Sequence, residues 1–107
     1  MENLVLLIGN LGDGPGLKYT AQGTPVASFD IATTEGWRDK QNGERKEFVE
    51  WNRVEVWGKL GKACADHLKK GSLVYVRGKI KTKNWETEDE KRYFKFIKAE
   101  RIKFLKI

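Results

Sequence analysis

The chain has 107 residues, and 21 Lys and Arg against 15 Asp and Glu give a formal net charge of +6 and a pI of about 9.5. This length suits one domain with one modest core, and the charge favours a polyanionic partner, which leaves nucleic acid, an anionic membrane and an acidic protein open. The single cysteine, Cys64, excludes an intramolecular disulfide, and the first apolar run, residues 4–8, is too short for a signal peptide or a membrane span, so we expect a cytoplasmic protein.

Short β-rich runs bounded by Gly, Asn and Asp predict five main strands and one minor strand. The main strands are residues 4–8, 26–34, 48–57, 73–85 and 92–105, and the minor strand is residues 17–20. Between the third and fourth main strands, residues 59–70 carry apolar side chains at helical spacing, and Gly71 follows as a stop. This element order predicts an all-β fold, the five-stranded OB-fold: a Greek-key barrel with one helix between strands 3 and 4.

Alternation along the third and fourth main strands separates a core face from an aromatic and basic face. In the third strand, Val54 and Val56 share one face. Its other face carries Val49, Trp51, Arg53, Glu55 and Trp57. In the fourth strand, Val74, Val76 and Ile80 share one face. Its other face carries Tyr75, Arg77, Lys79, Lys81, Lys83 and Trp85. In the last strand, apolar residues occupy both parities, which predicts a bulge or burial on both sides.

Tryptophans interleaved with cations are typical of a surface that stacks bases and neutralises phosphates. We therefore predict stacking on Trp51, Trp57 and Trp85 and phosphate contacts by five cations. These cations are Arg53, Arg77, Lys79, Lys81 and Lys83. The alternative is a sheet face whose aromatic side chains cover a contact between subunits. Stacking operates on DNA and RNA alike, so the pattern leaves an RNA-binding protein open.

Two charged loops, residues 35–47 and 84–91, each hold a tryptophan, Trp37 and Trp85. Trp37 either folds over a bound strand or anchors its own loop. An acidic cluster in the second loop would repel phosphate, so we expect it to lie away from the DNA path. The cluster consists of Glu86, Glu88, Asp89 and Glu90.

The sequence argues against an enzyme. A zinc site needs about four Cys or His ligands, or three with a water, whereas Cys64 and His67 are the only residues of their types. The glycine-rich residues 9–16 lack the GK[ST] ending of a phosphate loop and the helix that must follow it. We therefore expect no catalytic residue, no metal and no cofactor. An assembly factor of replication restart, which uses the same fold to hold proteins together, stays a second alternative.

Four stretches resemble the bacterial single-stranded DNA-binding proteins and together cover nearly the whole chain. They are NLVLLIGNLG from Asn3, KYTAQGTPVASFDIAT from Lys18, EWNRVEVWGKLGK from Glu50 and HLKKGSLVYVRGKIKTKNW from His67. The resemblance implies sequence-independent binding and protection of single-stranded DNA in replication, recombination and repair, usually by a homotetramer of OB-folds. It also implies base stacking on Trp37, Trp51, Trp57 and Trp85.

The chain departs from the family pattern at several positions. Asn52 stands where the family commonly has a His associated with subunit contacts, Gly14 where it often has Asp, and Trp57 where it commonly has Phe. The family's flexible tail with an acidic tip, which recruits replication and repair enzymes, has no counterpart in the final stretch KAERIKFLKI. We still expect a nucleoid-associated homo-oligomer, a tetramer before a dimer, with no membrane partner.

Overall fold

The computed structural model describes all 107 residues as six strands and one helix. The strands are β1 (Val5–Leu11), β2 (Gly16–Tyr19), β3 (Pro25–Arg38), β4 (Arg45–Trp57), β5 (Leu73–Glu86) and β6 (Lys91–Lys106), and the helix is α1 (Gly58–His67). With β2 as the minor strand, α1 falls between the third and fourth main strands, and the all-β OB-fold is confirmed. Helix α1 is neither long nor apolar enough to cross a membrane.

The sheet runs in the order β1-β5-β6-β4-β3-β2, and pairing of β1 with β3 closes five of these strands into a barrel. Closure involves only the end of β1, where Asn10 faces Ala32 and Leu11 faces Ile31. All neighbouring strands are antiparallel except β4 and β6, which run parallel and pair at Val54 with Ile97 and at Glu55 with Lys98. This short parallel contact brings the two long hairpins of the fold together.

Apolar side chains of β3, β4 and β5 fill the barrel. The fully buried ones include Ala27, Ile31, Val54, Val56, Val74 and Val76. Helix α1 adds Cys64, whose thiol pKa burial raises to about 11. The alternation predicted for β4 and β5 therefore identifies the core side of both strands at the barrel.

Ile80 is an exception, because the sequence pattern groups it with Val74 and Val76 on the core face, whereas the structure leaves it 45% exposed. Strand β1 pairs with β5 only as far as Gly78. Beyond Gly78, β5 pairs only with β6: Ile80 faces Ile97, which in turn pairs with Val54 of β4. On the other side of Ile80, only the Asn3 side chain meets its backbone, so no β1 strand residue covers the Ile80 side chain.

Strand β6 contains two irregularities, as its mixed pattern predicts. Arg77 faces Arg101 while Gly78 faces Ala99, so Glu100 is an extra residue, and a second shift lies between Leu73 and Val74. Each extra residue reverses the side to which the following side chains point. This reversal allows apolar residues at both parities of β6 to point towards the barrel.

The β3–β4 hairpin extends past the barrel, as far as Arg38 and Arg45. Its turn is fixed by Asp39, whose carboxylate accepts a hydrogen bond from the Gln41 backbone N–H at 2.8 Å and pairs with Lys46 at 3.2 Å. The backbone hydrogen bond, with the lysine second, lowers the pKa of Asp39. Gly43 has a φ of 70°, a left-handed conformation that glycine adopts without strain.

Candidate nucleic-acid interface

The outward sides of β4, β5 and β6 form one continuous surface. Glu55 on β4 lies beside Lys98 on β6, and Lys98 faces Lys79 on β5, so these side chains share one side of the sheet. We call this surface the basic face. It consists of Trp51, Arg53, Glu55, Trp57, Lys79, Lys81, Lys83, Trp85, Phe94, Phe96 and Lys98. Alternation predicts an outward set of residues on β4 and another on β5, and the parallel β4–β6 contact joins the two sets into one surface.

Three tryptophans on the basic face have large exposed fractions: 57% for Trp51, 42% for Trp57 and 43% for Trp85. The Trp85 ring meets Phe94 edge to face, with ring centroids 5.6 Å apart. Trp57 donates its indole N–H to Glu55 Oε1 at 3.3 Å, and the Lys98 ammonium lies 4.8 Å from its ring centroid. Neighbouring side chains thus hold the Trp57 and Trp85 rings while leaving ring surface available.

Trp51 lies against the glycine-rich turn that follows β1. A Cβ atom added to Gly12 would lie 2.5 Å from Cζ3 of the Trp51 ring, closer than real Cβ contacts come. An open hollow of about 620 Å³ adjoins this contact and is lined in part by Gly14, Asp30 and Arg53. The absence of a side chain at Gly12 therefore allows the Trp51 ring to lie flush with the turn.

Trp37 lies on the other side of the β3–β4 ribbon from Trp51. It faces Lys46, whereas Trp51 faces Ala32, and the alternation of the paired strands puts the two rings on opposite sides. Trp37 is 49% exposed. The turn of its hairpin is closed by Asp39 and by a hydrogen bond from Arg38 to the Gly43 carbonyl, so these closing contacts do not involve the Trp37 indole.

Three of the five cations predicted to contact phosphate are paired with carboxylates. Arg53 lies 3.4 Å from Asp30, and Lys79 lies 3.3 Å from Glu100. Lys83 pairs with Glu55. Arg77 and Lys81 form no ion pair. The sequence does not reveal these pairings, because in each case the partner belongs to a different strand.

Arg77 lies in the first half of β5, the part that pairs with β1. Its neighbours are Leu6 of β1 on one side and Arg101 of β6 on the other. Trp85 lies eight positions further along β5, which at about 3.3 Å per residue is roughly 26 Å. The structure therefore groups Arg77 with the exposed apolar side chains of β1, while Lys81 and Lys83 lie close to Trp85.

The acidic cluster follows Trp85 at the tip of the β5–β6 hairpin. Glu86 lies 3.6 Å from Lys91, and Glu90 lies 2.6 Å from Arg92, so neighbouring cations partly offset its charge. No group of three or more His, Cys, Asp or Glu side chains in the structure is arranged to hold a metal ion.

Comparison with known proteins gives two kinds of match. The sequence model of the single-strand binding protein family matches residues 2–105. Among solved structures, an SSB of Plasmodium falciparum in complex with ssDNA is 32% identical, with a TM-score of 0.85 over 98% of this chain and 96% of that chain. A deletion mutant of the single-stranded DNA binding protein from Thermus aquaticus is 30% identical, with a TM-score of 0.83 over 98% of this chain and 51% of that one.

Proposed function

Because the chain belongs to the single-strand binding protein family, we propose that it binds and protects single-stranded DNA without reading its sequence, in replication, recombination and repair. Residues 1–107 act as one DNA-binding domain that holds no cofactor and does not cleave the DNA. It works in the cytoplasm, at the nucleoid. Replication and repair proteins are candidate partners, although the acidic tail by which the family recruits them has no counterpart in this sequence, and no membrane takes part.

The arrangement of the basic face is the observation that supports this function most. Trp51, Trp57 and Trp85 offer ring surface, and cations on the same side of β4 and β5 accompany them. Every base has a face that can stack on an indole, so such a surface binds with little dependence on sequence. Arg53, Arg77, Lys79 and Lys81 supply the positive charge that accompanies the backbone, while Lys83, the fifth cation predicted to contact phosphate, is paired with the buried carboxylate of Glu55.

The structural relatives support the choice of polymer. The Plasmodium falciparum SSB was solved in complex with ssDNA, and it matches this chain along nearly its whole length. We extend that ligand to this protein. Trp37, on the other side of its hairpin, binds a later part of the same strand as the DNA passes around the protein.

Fluorescence anisotropy with labelled oligo(dT), a duplex of equal length and oligo(U) tests the function. We expect oligo(dT) to bind most tightly and to be recovered intact after incubation with magnesium. Preference for the duplex, or tight binding of oligo(U) with weak binding of oligo(dT), would contradict the proposal. Weak binding of all three polymers would favour an assembly factor on the same fold.

We propose that the protein forms a homo-oligomer, a tetramer before a dimer. Leu4, Leu6 and Ile8 are 50–58% exposed at or beside the part of β1 that pairs with β5 but not with β3, and an exposed apolar edge favours pairing with another copy. Light scattering at micromolar concentration is expected to give a multiple of the 12.3 kDa chain mass. A monomeric mass under these conditions would contradict the proposed homo-oligomer. It would not contradict DNA binding, which the anisotropy experiment tests.

The contact between Gly12 and Trp51 yields a prediction about binding. The Gly12→Ala variant must move the Trp51 ring, since the new methyl group would overlap it. We expect oligo(dT) affinity to fall by roughly threefold to thirtyfold, a part of the stacking energy of one base. Gly14→Ala is the matched control, because no atom lies within 4 Å of its added Cβ. Equal affinities of the two variants would show that the position of Trp51 does not matter.

A further inference from the structure

Glu55 is a buried acid on the outward side of a basic sheet. It is 5% exposed, while Trp57, two residues on and on the same side of β4, is 42% exposed. It lies in an open hollow of about 370 Å³ whose lining includes Trp57, Lys83 and Phe94. Burial of a carboxylate costs free energy unless other groups pair with it. The role of Glu55 therefore depends on the groups that pair with its carboxylate.

Each carboxylate oxygen of Glu55 has a partner on the basic face. Oε1 accepts the indole N–H of Trp57 at 3.3 Å, and Oε2 pairs with the ammonium of Lys83. No buried side-chain nitrogen or oxygen in the structure lacks a hydrogen-bond partner. The same carboxylate thus fixes one aromatic ring and one cation, and a Val at this position would hold neither.

Lys83 is paired with a carboxylate, whereas Lys81, the next cation on the same side of β5, is not. Lys83 is tied to Glu55 and lies 5.0 Å from the centroid of the Phe96 ring, whereas Lys81 forms no ion pair. A phosphate that bound Lys83 would have to displace a carboxylate that is itself buried and that would then lose its counter-charge. A phosphate at Lys81 displaces only mobile counterions.

We propose that Glu55 is a positioning residue of the DNA-binding surface: its carboxylate holds the Trp57 ring in place for stacking and keeps Lys83 from contacting phosphate. This inference rests on the proposed function. It assigns Trp57 and Lys83 to one unit and leaves Lys81 as the cation of this part of β5 that contacts the DNA backbone.

The salt dependence of oligo(dT) binding tests the role of Lys83. Log K falls as log salt rises, and each lysine contact to phosphate adds about 0.7 to the magnitude of this slope for single strands. We expect Lys83→Gln to leave the magnitude of the slope unchanged and Lys81→Gln to lower it by about 0.7. Glu55→Gln releases Lys83 and should raise the magnitude of the slope by about 0.7. The double variant Glu55→Gln, Lys83→Gln should return to the wild-type slope.

The role of Trp57 is tested at high salt, where stacking dominates. Glu55→Gln keeps an oxygen that accepts the indole N–H, whereas Glu55→Val does not. We expect Glu55→Val to bind oligo(dT) roughly three- to tenfold more weakly than Glu55→Gln, the loss of about one hydrogen bond. In a Trp57→Ala background this difference should vanish, since the ring that Glu55 holds is gone.

Several outcomes would overturn the inference. One is a slope that Lys83→Gln lowers as much as Lys81→Gln does; another is a slope that Glu55→Gln leaves unchanged. If Lys83→Gln does not fold, Glu55→Gln alone decides, because its amide replaces the carboxylate without a change of shape. Failure of the wild-type protein to bind oligo(dT) would defeat the proposed function itself, whereas wild-type binding with an unaltered Glu55→Gln slope would defeat only this role.

Discussion

Replacing Trp51 and Trp57 together with alanine is expected to weaken oligo(dT) binding by roughly 10²- to 10⁴-fold, because stacking contributes about 1 to 3 kcal/mol per base. Both rings are exposed on the same side of β4. The slope of log K against log salt should change little, since neither residue carries a charge. Anisotropy titrations over a range of salt concentrations measure both quantities.

Trp37→Ala is compared with the single variant Trp51→Ala. It also removes an exposed indole, but from the other side of the β3–β4 ribbon, so we expect a smaller loss of affinity. Circular dichroism must show that each variant keeps its fold. Undiminished binding by a folded Trp51→Ala, Trp57→Ala protein would mean that the basic face covers a neighbouring subunit instead of binding DNA.

Gly61→Ala is expected to destabilise the protein strongly, although alanine is ordinarily the better residue inside a helix by roughly 0.5–1 kcal/mol. A Cβ at Gly61 would lie 2.2 Å from the carbonyl oxygen of Val56 and 3.3 Å from the backbone nitrogen of Ala27. Helix α1 would have to move away from the barrel. Overpacking of this kind costs about 1–3 kcal/mol and sometimes more.

Urea unfolding followed by circular dichroism measures this change in the free energy of unfolding. Gly14→Ala again serves as the control, because open space surrounds its added methyl group. A Gly61→Ala protein as stable as the wild type, or more stable, would show that α1 does not press on the barrel as closely as the structure has it.

Much of the fold could be predicted because it depends on local patterns. Alternation in β4 and β5 identifies Val54, Val56, Val74 and Val76 as core residues, and all four are fully buried. The same alternation fails at Ile80, because it does not reveal that β1 stops pairing at Gly78. Apolar spacing predicts a helix up to residue 70, whereas α1 ends at His67. Leu68 then turns to extended backbone and is itself buried, which ends the helical hydrogen bonding earlier than apolar spacing indicates.

The site shows the same division. The exposed rings of Trp51, Trp57 and Trp85 agree with the sequence prediction of their side of the sheet, and their part in binding stays a prediction. Alternation also puts Glu55 on that outward side, but nothing in the local sequence distinguishes it from an ordinary solvated acid. Only the fold brings Lys83, 28 residues away, against its carboxylate.

By itself, the sequence determined the element order, the two sides of β4 and β5, and membership of the family, because alternation, turn residues and motifs are all encoded within short stretches of chain. Only the tertiary structure decided which cations are neutralised, by Asp30, Glu55 and Glu100, and why Gly61 must be glycine. These features depend on the register between strands and on the distance between backbones, which are set when segments far apart in sequence pack against each other.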